Sequence, residues 1–320
     1  MNGTAPVLTV NDLSAGYGAG RMVADASFTL SPGEILCLVG ESGCGKSTLL
    51  KAVMGTTPGL QVMSGEIILE GRSLLELPQK ERQRICCDKF GLVSQSPGAS
   101  FNPIRSYRKQ FTETLKSHGK YDRSTFDGLV AGAFGKMGLD DCQRILACCP
   151  YEMSGGMNQR IALSLALLLE QDILLADEPT SALDATIQLQ VAQELLRLRD
   201  VSGMAQIIVT HNLALAEFLA DRIGVMYAGR LVEAGTPKQV LGSPRHAYTR
   251  ALIAAIPTLQ GNMPTGLAGA PPLSGPSEAG CEFAPRCPLC EAGCSERRYA
   301  LVDTGGGHLA ACDRESGGAA

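Results

Sequence analysis

Residues 40–48 constrain the fold of this chain more than any other stretch. They read Gly-Glu-Ser-Gly-Cys-Gly-Lys-Ser-Thr, which matches the G-x-x-x-x-G-K-S pattern of loops that bind nucleotide phosphates. Glycines allow a tight turn whose backbone N–H groups point inward and hold an anion. Lys46 is expected to reach the β- and γ-phosphates, and the Ser47 hydroxyl to bind Mg²⁺. The predicted nucleotide-binding residues of this phosphate loop are Gly40, Glu41, Ser42, Gly43, Cys44, Gly45, Lys46, Ser47 and Thr48.

The segments on either side of the phosphate loop favour an α/β fold. Residues 35–39 form a short apolar run with the length of a buried parallel strand. Residues 47–54 are predicted to form a helix whose N-terminal dipole faces the phosphates. Further along, an apolar helix at 185–199 is followed by an apolar strand at 205–211. Strands that alternate with helices in this way predict an α/β core.

Length and charge exclude several other classes of protein. The 320 residues are enough for one large or two modest domains. A net charge of −4 argues against a nucleic-acid-binding surface. Apolar runs such as residues 165–169 are far shorter than the ~20 residues that span a bilayer, and the N-terminus lacks the basic and apolar regions of a signal peptide. Any membrane role is therefore expected to be peripheral.

Short motifs before and after the phosphate loop extend this interpretation. Tyr17 precedes Gly40 by 23 residues, and its ring could stack on a purine or instead pack on the sheet. Asp177 and Glu178 end an apolar strand, at the sheet edge where ligands bind in parallel sheets. In chain order the motifs are Tyr17, the phosphate loop, Gln95, Ser154-Gly155-Gly156-Met157, Asp177-Glu178, Ser181-Ala182-Leu183-Asp184 and His211. This ordered series resembles the nucleotide-binding subunit of ABC transporters, over nearly all of residues 1–245.

The resemblance implies a role for each polar group of an ATP site. Asp177 would hold Mg²⁺ through water, together with Ser47 and Gln95, and Glu178 would polarise the attacking water as general base. His211 would contact the γ-phosphate. Outside such a series, an acidic pair after a strand is often a helix cap, and a lone histidine is most often a core residue. The implied substrates and cofactors are ATP and Mg²⁺, and the implied activity is ATP hydrolysis.

The motif at 154–156 implies a dimer. Ser154, Gly155 and Gly156 begin a predicted helix, so their N–H groups and hydroxyl can bind phosphate. In ABC proteins this motif faces the ATP of a second ATPase subunit, identical or paralogous, and Asp184 would align the two half-sites. The family's commonest form has Gln after the glycines, whereas Met157 stands there in this chain.

A finer resemblance is to the ATPase subunits of oligopeptide, dipeptide and nickel importers. It rests on Ser100-Phe101-Asn102-Pro103, on residues 150–157 and 243–249, and on the Cys-rich stretch that begins at Gly280. It implies a peripheral protein on the cytoplasmic face of the inner membrane that is bound to permease subunits. An extracytoplasmic substrate-binding protein would be an indirect partner, and no nucleic-acid partner is expected. The rival is a soluble ABC ATPase acting on nucleic acid or ribosomes. Such proteins usually carry two modules, a coiled-coil insertion or basic surfaces.

The predicted organisation is an ATPase domain at 1–245 and a C-terminal extension at 246–320. The ATPase domain would contain a helical subdomain at about 97–165, implied to dock on the permease, and an antiparallel β subdomain. The segment 281–312 is rich in cysteine. By likeness to the importers, four of its thiols would ligate a [4Fe–4S] cluster. Zinc is one alternative, because the Cys287-x-x-Cys290 spacing is typical of zinc sites. Unligated thiols are a second alternative. Disulfides are disfavoured by a cytosolic location. The proposed cluster ligands are Cys281, Cys287, Cys294 and Cys312.

Overall fold

The computed structural model describes residues 5–93, 101–180, 185–256, 267, 269–270, 272, 275–277 and 279–312. Three predicted features lie outside these residues: Gln95, Ser100 and the motif at 181–184 with its Asp184. Within the described ranges, no helix has the length and apolar character needed to cross a membrane.

Helices and strands alternate along the described chain, which confirms the α/β prediction. The strands are β1 (Leu8–Tyr17), β2 (Gly20–Leu30), β3 (Ile35–Val39), β4 (Leu60–Leu69), β5 (Arg72–Ser73), β6 (Phe90–Val93), β7 (Ile173–Asp177), β8 (Ala205–Thr210), β9 (Arg222–Tyr227), β10 (Arg230–Gly235), β11 (Val302–Asp303) and β12 (Leu309–Ala310). The helices are α1 (Lys46–Met54), α2 (Gln79–Lys89), α3 (Tyr107–Ser117), α4 (Phe126–Lys136), α5 (Cys142–Ala147), α6 (Gly155–Leu169), α7 (Ala185–Ser202), α8 (Leu213–Leu219), α9 (Pro237–Gly242) and α10 (Ala247–Ala254).

The chain divides into two compact units. The helical unit contains Ser31–Glu34 and Leu77–Ile208, and the phosphate-loop unit contains Pro6–Leu30, Ile35–Glu76 and the chain from Val209 onward. The phosphate loop and the Cys-rich segment therefore belong to the same unit. The strand that ends in the two acids belongs to the helical unit.

Two groups of strands form the phosphate-loop unit. One is an antiparallel sheet in the order β2-β1-β4-β5. In the other, β3 pairs in parallel with β9, and β9 forms an antiparallel hairpin with β10. The short strand β12 extends this group by pairing with β10, and β11 pairs with β12. Strand β3 is apolar throughout because it is buried along its whole length.

In the helical unit, β6 pairs in parallel with β7, and helices α3 to α6 surround an aromatic cluster. Phe111 and Phe134 are fully buried, and their ring centroids lie 5.7 Å apart in an edge-to-face arrangement. Phe101, Tyr107 and Phe126 belong to the same cluster. Edge-to-face aromatic pairs stabilise a core beyond the area they bury. This cluster therefore packs helices α3, α4 and α5 against α6.

We expect Phe134→Ala to lower the free energy of unfolding by about 3–5 kcal/mol, because it removes a fully buried ring and leaves a cavity. Urea titration followed by circular dichroism measures the change. The matched control is Leu129→Ala on the same helix. Because the Leu129 side chain is exposed, its replacement is expected to change stability by less than about 0.5 kcal/mol. Equal effects of the two substitutions would contradict the packing described here.

Candidate active site

The phosphate loop joins β3 to α1, as predicted from its pattern. Gly40, Gly43 and Gly45 have φ angles of 150°, 80° and 102°, a region that residues with a side chain rarely adopt. A Cβ atom on Gly40 would also lie 2.2 Å from the carbonyl oxygen of Met226. Both conformation and close approach therefore require glycine at position 40.

Lys46 lies beneath the turn of the loop. Its side chain is buried, and its ammonium donates hydrogen bonds to the carbonyl oxygens of Gly40, at 2.8 Å, and Glu41, at 2.9 Å. By contrast, Ser42 and Gly43 are exposed. A cation held inside a loop with an accessible rim is the arrangement expected of a phosphate-binding loop.

A cavity of about 190 Å³ lies against the phosphate loop. Its volume is below that of most small-molecule pockets. The cavity is lined by Met22, Glu41, Ser42, Gly43, Cys44, Tyr227, Ala228, Gly229, Pro272 and Gly275. The C-terminal extension thus reaches the phosphate loop through Pro272 and Gly275, a contact that no motif in the sequence indicated.

Tyr17 and His211 each lie at the end of a strand. Tyr17 is the last residue of β1, and 43% of its surface is exposed. This exposure leaves its ring accessible for stacking. His211 is exposed and follows β8 directly, and the next residue, Asn212, caps α8 by accepting a hydrogen bond from the Leu215 N–H at 3.2 Å.

Asp177 and Glu178 stand at the C-terminal end of β7, as predicted. Asp177 is the last residue of the strand, and both acids are half-buried. Glu178 has a φ angle of 47°, a left-handed conformation that costs a non-glycine residue about 1–3 kcal/mol and is concentrated at functional sites. No motif in the sequence indicated this backbone conformation.

Ser154 begins helix α6. Its hydroxyl accepts a hydrogen bond from the Met157 N–H at 3.3 Å, which makes it the N-cap of a 15-residue helix. Ser154 and Gly155 are exposed, and no heavy atom lies within 4 Å of the position of a Cβ atom on Gly155 or Gly156. The N-terminus of α6 is therefore accessible to another molecule.

Asn158 holds the start of α6 in place, a role that the sequence did not reveal. Its amide donates to the carbonyl oxygens of Pro150, at 3.1 Å, and Met153, at 3.3 Å. Its carbonyl oxygen accepts a hydrogen bond from the Tyr107 hydroxyl of α3. Met157, which departs from the family's commonest residue, packs against the aromatic cluster. The two residues after the glycines thus anchor α6 on the helices before it.

Across the described part of the chain, no three His, Cys, Asp or Glu side chains converge into a group that could hold a metal ion. Of the residues predicted to bind Mg²⁺, Gln95 lies outside that part. Cys287 lies near Cys290, Cys294 and Cys312, and burial raises its pKa. Burial also raises the pKa of Cys281 to about 11. The thiols are the right donors for iron or zinc and are gathered in one segment, but they are not arranged as a preformed ligand set.

Comparison with known proteins agrees with this site. Residues 23–181 match the family model described as ABC transporter, and residues 232–294 match the one described as oligopeptide/dipeptide transporter, C-terminal region. The chain is 34% identical to a probable peptide ABC transporter ATP-binding protein of Sinorhizobium fredii, over 97% of this chain and 95% of that protein. It is 36% identical to the dipeptide transport ATP-binding protein DppD of Bacillus subtilis, over 88% and 87% of the two chains. It is also 36% identical to the oligopeptide transport ATP-binding protein OppD of Haemophilus influenzae, over 90% and 91%.

Solved structures with the same fold include cbiO1 from Clostridium perfringens, with a TM-score of 0.67 and 23% identity over 75% of this chain and 92% of that one. The dimeric ABC transporter cassette MJ0796 has a TM-score of 0.61 and 24% identity, over 72% and 98%. On that fold, this chain carries three features of an ATP site. They are a phosphate loop between β3 and α1, an acidic pair at the end of β7 and an accessible helix start at Ser-Gly-Gly. The chain therefore belongs to the family of ABC transporter ATP-binding subunits, which are ATPases.

Proposed function

We propose that this chain is the ATP-hydrolysing subunit of a peptide importer. The observation that carries the proposal is the match of residues 232–294 to the C-terminal region of oligopeptide and dipeptide transporters. Relatives named for dipeptide and oligopeptide transport support it, because each is aligned over most of this chain. Nickel import is the second candidate, from the sequence resemblance. The chain would work at the cytoplasmic face of the membrane, attached to permease subunits that receive substrate from an extracytoplasmic binding protein.

In this proposal, two ATPase subunits enclose two ATP molecules. Each phosphate loop binds one ATP through Lys46 and the loop N–H groups, and Ser47 and Asp177 hold Mg²⁺ with Gln95. Glu178 accepts a proton from the attacking water, while His211 contacts the γ-phosphate. The exposed start of α6 at Ser154 supports contact with the nucleotide of the other subunit. ATP binding would close the dimer, and hydrolysis would reopen it. The conformation of the attached permease would change with each step.

The test is transport by the reconstituted complex. The chain would be purified with the permease, any paralogous ATPase and the binding protein encoded by neighbouring genes, and uptake into proteoliposomes measured with labelled dipeptide, labelled oligopeptide and ⁶³Ni²⁺. We expect peptide uptake that requires ATP, is lost in Lys46→Ala and persists in Lys51→Ala, a control that changes an exposed lysine of the same helix. Uptake of nickel alone would assign the second candidate. ATPase activity stimulated by nucleic acid or ribosomes, without transport, would contradict both.

We also propose that Cys281, Cys287, Cys294 and Cys312 ligate a structural or redox-sensing [4Fe–4S] cluster. Support comes from the sequence likeness and from the proximity of Cys287 to Cys294 and Cys312. Because ligation requires thiolates, cluster assembly would release the thiol protons of these cysteines. When bound, the cluster would cross-link a segment that is poor in large apolar residues.

Anaerobic purification followed by iron, sulfide and zinc analysis tests the cluster. We expect about four irons and four sulfides per chain, lost in Cys287→Ser and retained in the control Cys290→Ser. Stoichiometric zinc without sulfide would replace the cluster with a zinc site. Absence of all three elements after anaerobic purification would leave the thiols unligated and contradict the proposal.

A further inference from the structure

The C-terminal extension makes a direct ion pair with the phosphate loop. The Arg286 guanidinium donates from Nη1 to Glu41 Oε2 at 2.8 Å and from Nη2 to Glu41 Oε1 at 3.1 Å. The Arg286 side chain is only 5% exposed and that of Glu41 22%. This is a bidentate, largely desolvated arginine–carboxylate pair, which is stronger and more specific than a surface pair. Glu41 is the residue that follows the first glycine of the loop.

Aromatic side chains hold Arg286 and Glu41 in this position. The Arg286 guanidinium lies 5.7 Å from the ring centroid of Tyr227 and 3.2 Å from its hydroxyl oxygen. Tyr227, Tyr248 and Phe283 pack together, with ring centroids 4.6 to 5.4 Å apart. The Glu41 N–H donates to the Tyr248 hydroxyl at 2.9 Å. Both the backbone and the carboxylate of Glu41 are therefore fixed by residues outside the loop.

The extension that carries Arg286 is tied to the β9–β10 hairpin. Strand β12 pairs with β10, which places Ala310 opposite Glu233. The fully buried Glu233 carboxylate accepts hydrogen bonds from the N–H groups of Arg245 and His246, each at 2.8 Å, and contacts the His308 ring at 2.7 Å. Arg230 of the same hairpin forms an ion pair with Glu282. These contacts hold the chain on both sides of Arg286 beside the β9–β10 hairpin.

A carboxylate in this loop needs such a partner. ATP carries several negative charges, and an uncompensated Glu41 carboxylate beside its phosphates would repel them. We propose that Arg286 is a positioning residue for nucleotide binding: it neutralises Glu41 and turns its carboxylate away from the phosphates. The C-terminal extension thereby contributes to the affinity of the phosphate loop for the triphosphate. The proposal rests on ATP binding by this loop.

The test compares nucleotide affinity among full-length variants, by calorimetry with ATP, ADP and adenosine. We expect Arg286→Gln to weaken ATP binding about tenfold and ADP binding less, with adenosine binding unchanged, because the repulsion scales with phosphate charge. Arg286→Lys, which retains the charge, should stay within about threefold of the wild type. The double variant Arg286→Gln/Glu41→Gln should regain most of the lost affinity, since it leaves no unpaired carboxylate.

The matched control is Arg298→Gln, which removes the same charge from the same extension but pairs with Asp25 rather than with the phosphate loop. Its ATP affinity should stay within about twofold of the wild type. Glu41→Gln alone is a second variant that does not depend on the folding of Arg286→Gln. It removes the repelling carboxylate and keeps the positive charge of Arg286, so it should bind ATP more tightly than the wild type. Equal weakening in Glu41→Gln and Arg286→Gln, or failure of the double variant to recover, would reduce the pair to a structural contact and overturn the proposal. Failure of the wild type to bind ATP would instead overturn the proposed function.

Discussion

Replacing Glu178 with glutamine is expected to lower the rate of ATP hydrolysis at least about 100-fold while ATP binding stays within about threefold of the wild type. The glutamine side chain has nearly the same shape but cannot accept the proton of the attacking water. The residues of the phosphate loop, which are proposed to bind the nucleotide, are unchanged. Because hydrolysis would be the step that reopens the dimer, the variant should accumulate as an ATP-bound dimer.

Phosphate release, equilibrium ATP binding and light scattering after size-exclusion chromatography measure these three effects. The matched control is Glu170→Gln. Glu170 also has a left-handed backbone, with a φ angle of 51°, and it lies on the surface at the end of α6, where it pairs with Lys120. The turnover of Glu170→Gln is expected to equal that of the wild type. Such a result would show that the effect of Glu178→Gln comes from the position of its carboxylate at the end of β7, because Glu170 is also a glutamate with a positive φ angle. Near-normal hydrolysis by Glu178→Gln would remove Glu178 from the role of general base.

The second large effect is complementation between two inactive variants. Lys46→Ala removes the cation that is proposed to bind phosphate, and Ser154→Arg places a bulky charged side chain at the start of α6. Each variant alone is expected to be inactive. Each site is expected to combine one phosphate loop with the Ser154 motif of the other subunit. Half of the dimers in an equal mixture are then heterodimers, and each heterodimer contains one intact site. An equal mixture should then recover about a quarter of the wild-type activity.

Mixing Lys46→Ala with Lys46→Met is the control, because no combination of these chains contains an intact phosphate loop. Where the second ATPase is a paralogue, the two substitutions are placed in different chains of the pair. The activity of the wild type should also rise more than linearly with protein concentration. Hydrolysis strictly proportional to concentration over a wide dilution range, by a proven monomer, would contradict the shared site, as would the absence of recovery in the Lys46–Ser154 mixture.

Much of the fold followed from short-range patterns. The apolar run at 35–39, the glycines after it and the helix from Lys46 form one local unit, because a buried parallel strand, a tight anion-binding turn and a helix N-terminus each have a distinct composition. The β9–β10 hairpin can also be predicted from the sequence, because Gly229 separates two apolar runs. The start of α6 at Ser154 was predicted because serine and two glycines precede an apolar segment.

Other features depend on contacts between residues that are distant along the chain. In the sequence, Asn158 cannot be distinguished from an ordinary polar residue. Its role depends on a hydrogen bond with Tyr107, which lies 51 positions earlier in the chain. The left-handed backbone of Glu178 likewise has no local signature, because glutamate does not favour that conformation. The paired partner of Glu41 stands 245 positions away, and no spacing rule connects an arginine in a Cys-rich segment with a phosphate loop.

The sequence by itself determined the class of fold, the phosphate-loop pattern and the position of the two acids at the end of β7, because these depend on residue types at fixed short spacings. Only the tertiary structure decided what surrounds that chemistry. Burial and long-range contact select the partners of Glu41, Asn158 and Glu233, and a carboxylate or amide removed from water must find its hydrogen bonds wherever the fold supplies them.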